Sequence, residues 1–290
     1  MQEKRIEKII KGIEDIPTLP YVVFRINNAL GNDSVTTNAV SEIIEKDPSL
    51  TSRVLRLANS SYYGLSCRVD TIPRAITVLG FNTIRNLAFT TEVFKIFNKN
   101  ISLPLDIKGL WYHSLGCAIA SKSLIHKNDP ILEEKVFICG ILHDIGKIII
   151  AQNIPDLLEE VLKEIKDNRD LTLCDAEKNI IGYTHSEVGS LVAEKWHFPK
   201  ELSNIIRFHH SPSLVNPFID ISDYTLLHNA VYAGNQIAKA IVLGKSTDER
   251  VSAIHPSTRN SFGISEKELP ETLFRIKLDF DSVVNSWELE

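Results

Sequence analysis

Apolar residues along this chain recur every three to four positions almost throughout, and strand-like alternation is weak. That period places one face of a helix on a core and cannot serve a half-buried strand, so it predicts an all-α fold. Proline, glycine and capping residues cut the pattern into segments. A charged helix is predicted over 3–14, with Ile6, Ile9, Ile10 and Ile13 on one side, and Ile16-Pro17-Thr18-Leu19-Pro20 breaks it. Helices follow over 20–30, with Gly31 as C-cap, and over 35–46. Asp47-Pro48 opens a helix over 48–58, since the aspartate caps free amides and proline suits the first turn. Tyr62-Tyr63-Gly64 marks a turn. Helices over 72–79 and 82–97 are split by Gly80, with Asn82 as N-cap.

Residues 98–104 read as a seam, giving an N-terminal helical subdomain over 1–100, a helical bundle over 101–245 and a C-terminal extension over 246–290. In the bundle, a helix over 106–127 carries the small residues Gly116, Ala118, Ala120 and Ser121, which allow close helix approach. Another runs over 131–152 with a bend around Gly146, and an acidic amphipathic helix over 155–166. Thr184 with Glu187 forms a capping box that starts a helix to about Trp196. Helices over 199–210 and 222–243 follow. Ser265 with Glu268 introduces a C-terminal helix to about 285, whose Leu269, Leu273, Ile276 and Phe280 pack back on the bundle; a dimer contact is the alternative.

Composition narrows the functional classes. Hydrophobic residues at 43% and charged residues at 24% are those of an ordinary globular protein, not of a disordered or disulfide-dense one. The net charge of −5 is split as +3 over residues 1–100 and −8 over the rest, which argues against nucleic acid as a partner. The cysteines Cys67, Cys117, Cys139 and Cys174 form no CxxC pair, and Cys117 and Cys139 sit among apolar neighbours. With no signal-peptide pattern and no apolar run of about 18 residues, the expectation is a reducing compartment, the cytoplasm, and no membrane.

Histidine placement carries the chemistry. His113 shares a face with Leu110, Cys117 and Leu124; His143-Asp144 lies in the apolar stretch 140–147; His185 begins the Thr184-capped helix; His209-His210 ends another. An ionisable group on an apolar face is costly without a partner. One such histidine is most often a hydrogen-bonded core residue, whereas several with an adjacent aspartate point to one shared site. Imidazole and carboxylate suit Fe, Mn, Zn or similar divalent ions, and Asp144 could bridge two of them. Such an ion lowers the pKa of bound water and polarises a phosphoryl oxygen, which is the physical route to phosphate-ester hydrolysis. Lys147 would add positive charge near a phosphate, or be a solvated helix charge. Arg53, Arg56, Arg68, Arg74 and Arg85 form either an anion-binding face or solvated structural positions, and Tyr62 and Tyr63 pack against the subdomain rather than stack on a base.

The ordered set His113, His143-Asp144, His185, His209 and His210 resembles the metal-dependent phosphohydrolases of the HD superfamily, in particular its cyclic-dinucleotide phosphodiesterase branch. That branch follows the doublet with a Gly-Tyr-Pro stretch, where this chain has Ser211-Pro212-Ser213-Leu214-Val215. Leu19-Pro20, Asp47-Pro48-Ser49-Leu50, the stretch Arg53 to Ser60 and Ala75 to Gly80 resemble the HDOD family, the HD-related output domain of bacterial signalling proteins, over roughly residues 13–210. The resemblance implies an N-terminal helical subdomain packed on an HD-like bundle and a role in bacterial signal transduction; many members are thought to lack hydrolase activity. It also implies a metal set of His113, His143, Asp144, His185, His209 and His210, with Asn235 where HD enzymes use a late aspartate. An amide oxygen is neutral and the weaker ligand.

Two main readings follow. The first is a regulatory module on a degenerate HD scaffold, with other signalling proteins as partners and a divalent ion (Fe, Mn, Zn or Mg) that is structural or sensory. The second is an active phosphatase or phosphodiesterase on a nucleotide or other phosphate ester, with Asp144 and Lys147 as catalytic residues. A nucleotide- or nucleic-acid-binding regulator using the arginines of 53–85 is the third.

Overall fold

The structure, a computed structural model, describes residues 9–16, 21–30, 36–60, 65, 67–97, 103–125, 129–168, 170–211, 221–248 and 250–287. Among the described residues every regular element is helical, as the periodicity predicts. Residues 9–14 form α1. There follow α2 (Tyr21–Leu30), α3 (Thr37–Ile44), α4 (Pro48–Ala58), α5 (Ile72–Leu79) and α6 (Phe81–Phe97). Next come α7 (Ile107–Leu124), α8 (Pro130–Leu142), α9 (Ile145–Asn153), α10 (Pro155–Asp167) and α11 (Leu173–Ile180). The last are α12 (His185–Lys195), α13 (Lys200–Phe208), α14 (Ile221–Ala240), α15 (Pro256–Ser261) and α16 (Leu269–Trp287). The chain divides into two units, Met1–Ile16 with Asn100–Ile276, and Pro17–Lys99 with Lys277–Glu290.

In the unit containing α2 to α6, the start of α4 follows from two residues. Asp47 accepts from the amides of Ser49 (2.9 Å) and Leu50 (3.0 Å), and Pro48 fills the first turn. Leu50, Val54 and Leu57 are thereby turned inward and buried, and α4 packs against α3, α5 and α6. The Asn59 side chain then ties the chain beyond α4 to itself, accepting from the Val69 amide (2.8 Å) and donating to its carbonyl (2.7 Å). Asn82 is not the cap of α6. That helix begins at Phe81, Gly80 makes the break at φ +78°, and Asn82 accepts from Arg85 at 2.6 Å. The expected Gly31 cap and the Tyr62-Tyr63-Gly64 turn lie outside the described residues.

In the other unit, α7 packs against α8 and α14, and α12 packs against α9 and α13. The small residues of α7 mark the first pair of contacts. A Cβ on Gly140 would stand 2.5 Å from Ala118 Cα, and one on Gly234 would overlap the Ser121 side chain. Cys117 and Cys139 are free, buried thiols in this core.

The expected helix over 131–152 is two helices, and the break falls at His143-Asp144 rather than around Gly146. Asp144 leaves helical geometry at φ −101° and ψ 7°, which ends α8 and starts α9. Gly146 serves another purpose: a Cβ there would overlap the His185 carbonyl oxygen and lie 2.8 Å from the Gly189 amide, so its missing side chain lets α9 and α12 cross. The stretch Ile131–Asn153 is long and apolar enough to cross a membrane by length and composition, contrary to the expectation of no such run; 83% of its most apolar window is buried inside the protein. Two helices were not anticipated, α11 and α15. Of the four apolar positions predicted to pack inward along α16, Ile276 and Phe280 are buried and Leu273 is half-buried, but Leu269, at the helix start, is exposed.

Candidate metal centre

Five elements deliver the predicted residues to one place. α7 carries His113; the turn between α8 and α9 carries His143 and Asp144; α12 begins with His185; the end of α13 carries His209 and His210; α14 carries Asn235. The Thr184 box works as expected, with Thr184 accepting from the Glu187 amide (3.2 Å) and Glu187 accepting from the Thr184 amide (2.9 Å). It fixes where α12 starts, and so where the His185 ring stands.

Asp144 is the hub. Its Oδ2 lies 3.3 Å from His143 Nε2, 3.7 Å from His113 Nε2 and 2.7 Å from Lys147 Nζ. Its Oδ1 lies 3.3 Å from His185 Nε2 and 3.7 Å from His209 Nε2. The two oxygens thus face two groups, Asp144 with His113 and His143, and Asp144 with His185, His209 and His210. His185 Nε2 and His210 Nε2 are 2.9 Å apart, and His113 Nε2 is 3.1 Å from Asn235 Oδ1. His113, His143, Asp144, His185, His209 and Asn235 are each no more than 1% exposed.

The outer ring nitrogens are spoken for. His143 Nδ1 donates to the Gly140 carbonyl (2.7 Å) and His209 Nδ1 to the Ile206 carbonyl (2.6 Å), because a carbonyl can only accept. His185 Nδ1 donates to Glu177 Oε2 at 2.7 Å. The Nε2 atoms therefore turn to Asp144. His143 Nε2, His209 Nε2 and Asp144 Oδ1 are buried without any hydrogen-bond partner. Buried polar atoms are rarely left so, and orphaned ligand atoms in both groups around Asp144 fit divalent cation binding.

Electrostatics agree with that fit. Burial disfavours charge on every ring. It pushes His113 down to about 3 against the pull of Asp144, and it holds His209 and His210 well below the usual imidazole range, helped by neighbouring rings. At His143 burial is outweighed by Asp144, which raises the ring to about 10; at His185 Glu177 raises it in the same way. Burial alone would raise Asp144, yet His143 and Lys147 hold it well below the carboxylate range. A ring must shed its Nε2 proton to ligate a metal, so protonation of His143 and metal binding would compete.

Lys147 is not a solvated helix charge: it is 2% exposed and bound to Asp144. Glu177, 0% exposed on α11, was missed by sequence reasoning. The available signal was an acid on the apolar side of a Thr172-Asp175 capping box, eight residues before His185. Of the five arginines, Arg56 and Arg68 line a cavity of about 730 Å³ in the other unit, beside Asn59 and Asp70. Arg56 and Arg68 are exposed there.

Known proteins resemble this chain in sequence and fold. A protein of Treponema pallidum (strain Nichols) with no characterised role is 29% identical over 217 residues, 72% of this chain. The chain spans 40% of the length of that curated relative. A crystal structure of an HDOD domain protein of unknown function from Geobacter sulfurreducens superposes with TM-score 0.75 at 27% identity, covering 97% of this chain and 98% of that one. A Shewanella amazonensis protein named as a candidate phosphohydrolase gives TM-score 0.73 at 27% identity, with the same coverage. The family profile described as the HDOD domain matches residues 16–212, which takes in α2 to α13 and the histidine cluster up to His210, and on that match this chain is a member of the HDOD family.

Proposed function

We propose that this chain is a regulatory module of bacterial signal transduction on an HD phosphohydrolase scaffold, with a divalent metal that ties helices together rather than turning over a substrate. Asp144 with His113 and His143, and Asp144 with His185, His209 and His210, would hold one or two ions, and Asn235, beside His113, would be a weak further ligand. The observation that supports this most is burial. All of these except His210 are at most 1% exposed, whereas catalytic metal sites keep an open position for water or substrate. The neutral Asn235, where HD enzymes are expected to carry an aspartate, points the same way. Partners of such a module are other signalling proteins, with a nucleotide or phosphate ligand as an alternative input.

A hydrolase is the second reading, and Lys147 is the observation that favours it. A buried ammonium beside Asp144 would lie next to a bound phosphoryl group, and His210 leaves one side of the cluster partly open. A bound ion would supply Lewis acidity and a more acidic water. Asp144 would orient the attacking group and Lys147 would offset charge on the phosphate.

Metal content of the purified chain, measured by mass spectrometry beside His143→Ala and Asp144→Ala, tests the centre. Near-stoichiometric metal lost in both variants is expected, with no turnover of a nucleotide and phosphate-ester panel under added Mn²⁺. Turnover that disappears in His143→Ala would establish the hydrolase instead.

A further inference from the structure

We infer that Glu177 is a positioning residue of this centre and supplies, through His185, the negative charge that Asn235 lacks; this rests on the metal-centre reading above. A buried carboxylate is costly unless it is engaged. Glu177 Oε1 is buried without a hydrogen-bond partner, while Oε2 accepts from both the backbone amide (2.9 Å) and the ring Nδ1 (2.7 Å) of His185, which makes it a two-point clamp on that residue. The clamp is held in turn, because α11 starts at the Thr172-Asp175 box and ends where Ile181 and Gly182 donate to the Glu177 carbonyl.

The clamp decides a tautomer. A carboxylate only accepts, so in the neutral ring Nδ1 of His185 carries the hydrogen and Nε2 keeps its lone pair. That Nε2 faces Asp144 Oδ1 at 3.3 Å and His210 Nε2 at 2.9 Å. The rings of His143 and His209 are held the same way, but by neutral carbonyls. Glu177 differs by bringing a full charge.

Charge is what the centre is short of. Asp144 is its direct carboxylate, and Asp144 Oδ2 already pairs with Lys147 at 2.7 Å. Asn235 adds none. A dication at the Nε2 atoms would find its second anion one imidazole away, at Glu177. Carboxylate partners behind ligating histidines ordinarily govern affinity by roughly 10- to 100-fold.

The test uses the full chain stripped of metal and Mn²⁺ as the probe, titrated against a chromophoric chelator. Glu177→Gln keeps one oxygen to accept from His185, replaces the other with an amide NH2 and removes the charge. It should weaken Mn²⁺ binding roughly 10- to 100-fold, and Glu177→Gln with Asn235→Asp should recover most of that loss. Equal affinity in the parent and Glu177→Gln overturns the role of Glu177 and leaves the metal centre standing. A parent chain that binds no Mn²⁺ overturns both. Should Glu177→Gln not fold, two-bond ¹H–¹⁵N spectra of the unsubstituted, metal-free chain decide. The Nδ1–H form of His185 is expected, and the Nε2–H form overturns the inference.

Discussion

Replacing Gly146 with alanine should destabilise the bundle, although the same change inside an unhindered helix gains about 0.8–1.0 kcal/mol. The new Cβ would overlap the His185 carbonyl oxygen and lie 2.8 Å from the Gly189 amide, and both are backbone atoms of α12. Neither can swing aside as the end of a side chain would. Restoring an ordinary contact means moving α12 away from α9 by roughly 1.5 Å. Overpacking of this kind costs about 1–3 kcal/mol, and a backbone collision belongs at the upper end. With the helix gain subtracted, a net loss of about 2 kcal/mol is expected, or a melting temperature lower by roughly 4–8 °C. The displaced atom belongs to His185, so the spacings of 3.3 Å to Asp144 and 2.9 Å to His210 should open as well. Far-UV circular dichroism on heating reads the first effect, and Mn²⁺ titration of the same sample reads the second. A melting temperature equal to or above the parent's would refute the packing argument.

Asp144→Asn leaves the buried Lys147 ammonium without its carboxylate, which should cost about 3–5 kcal/mol; Asp144→Asn with Lys147→Met removes both charges and should recover most of that. Thermal unfolding of the two variants checks this, and a double variant no more stable than the single one contradicts it. The Asp47 cap gives a pH-dependent case. Burial works to raise its carboxyl, but the Leu50 and Ser49 amides and Lys95 prevail and lower it from 3.8. A group depressed in the folded state stabilises above its unfolded pKa and loses that contribution as pH falls through the folded value. Asp47→Ala should therefore cost about 1 kcal/mol at neutral pH, and the gap from the parent should close only below pH 3.8. A gap that stays constant into acid would contradict the assignment.

Local chemistry made much of this protein legible before any coordinates. A helical period fixes the fold class because it depends only on near neighbours. Asp47-Pro48 and Thr184 with Glu187 mark helix starts because a cap needs only the next three residues. The residues His113, His143, Asp144, His185, His209 and His210 stood out because ionisable groups on apolar faces need a shared reason. What tertiary structure alone decided depends on contacts between distant segments. The break at His143-Asp144 splits a stretch whose apolar pattern reads as continuous. Lys147 reads either as a charge beside a phosphate or as a solvated one until Asp144 and the surrounding helices enclose it. Gly146 looks like a bend until the carbonyl of His185 is found against it. Glu177 carries no motif, and its meaning appears only when α11 places it behind the ring of His185. Propensity and capping act within a turn or two of helix, whereas burial, ion pairing and ring tautomers are set by whichever chain folds against them.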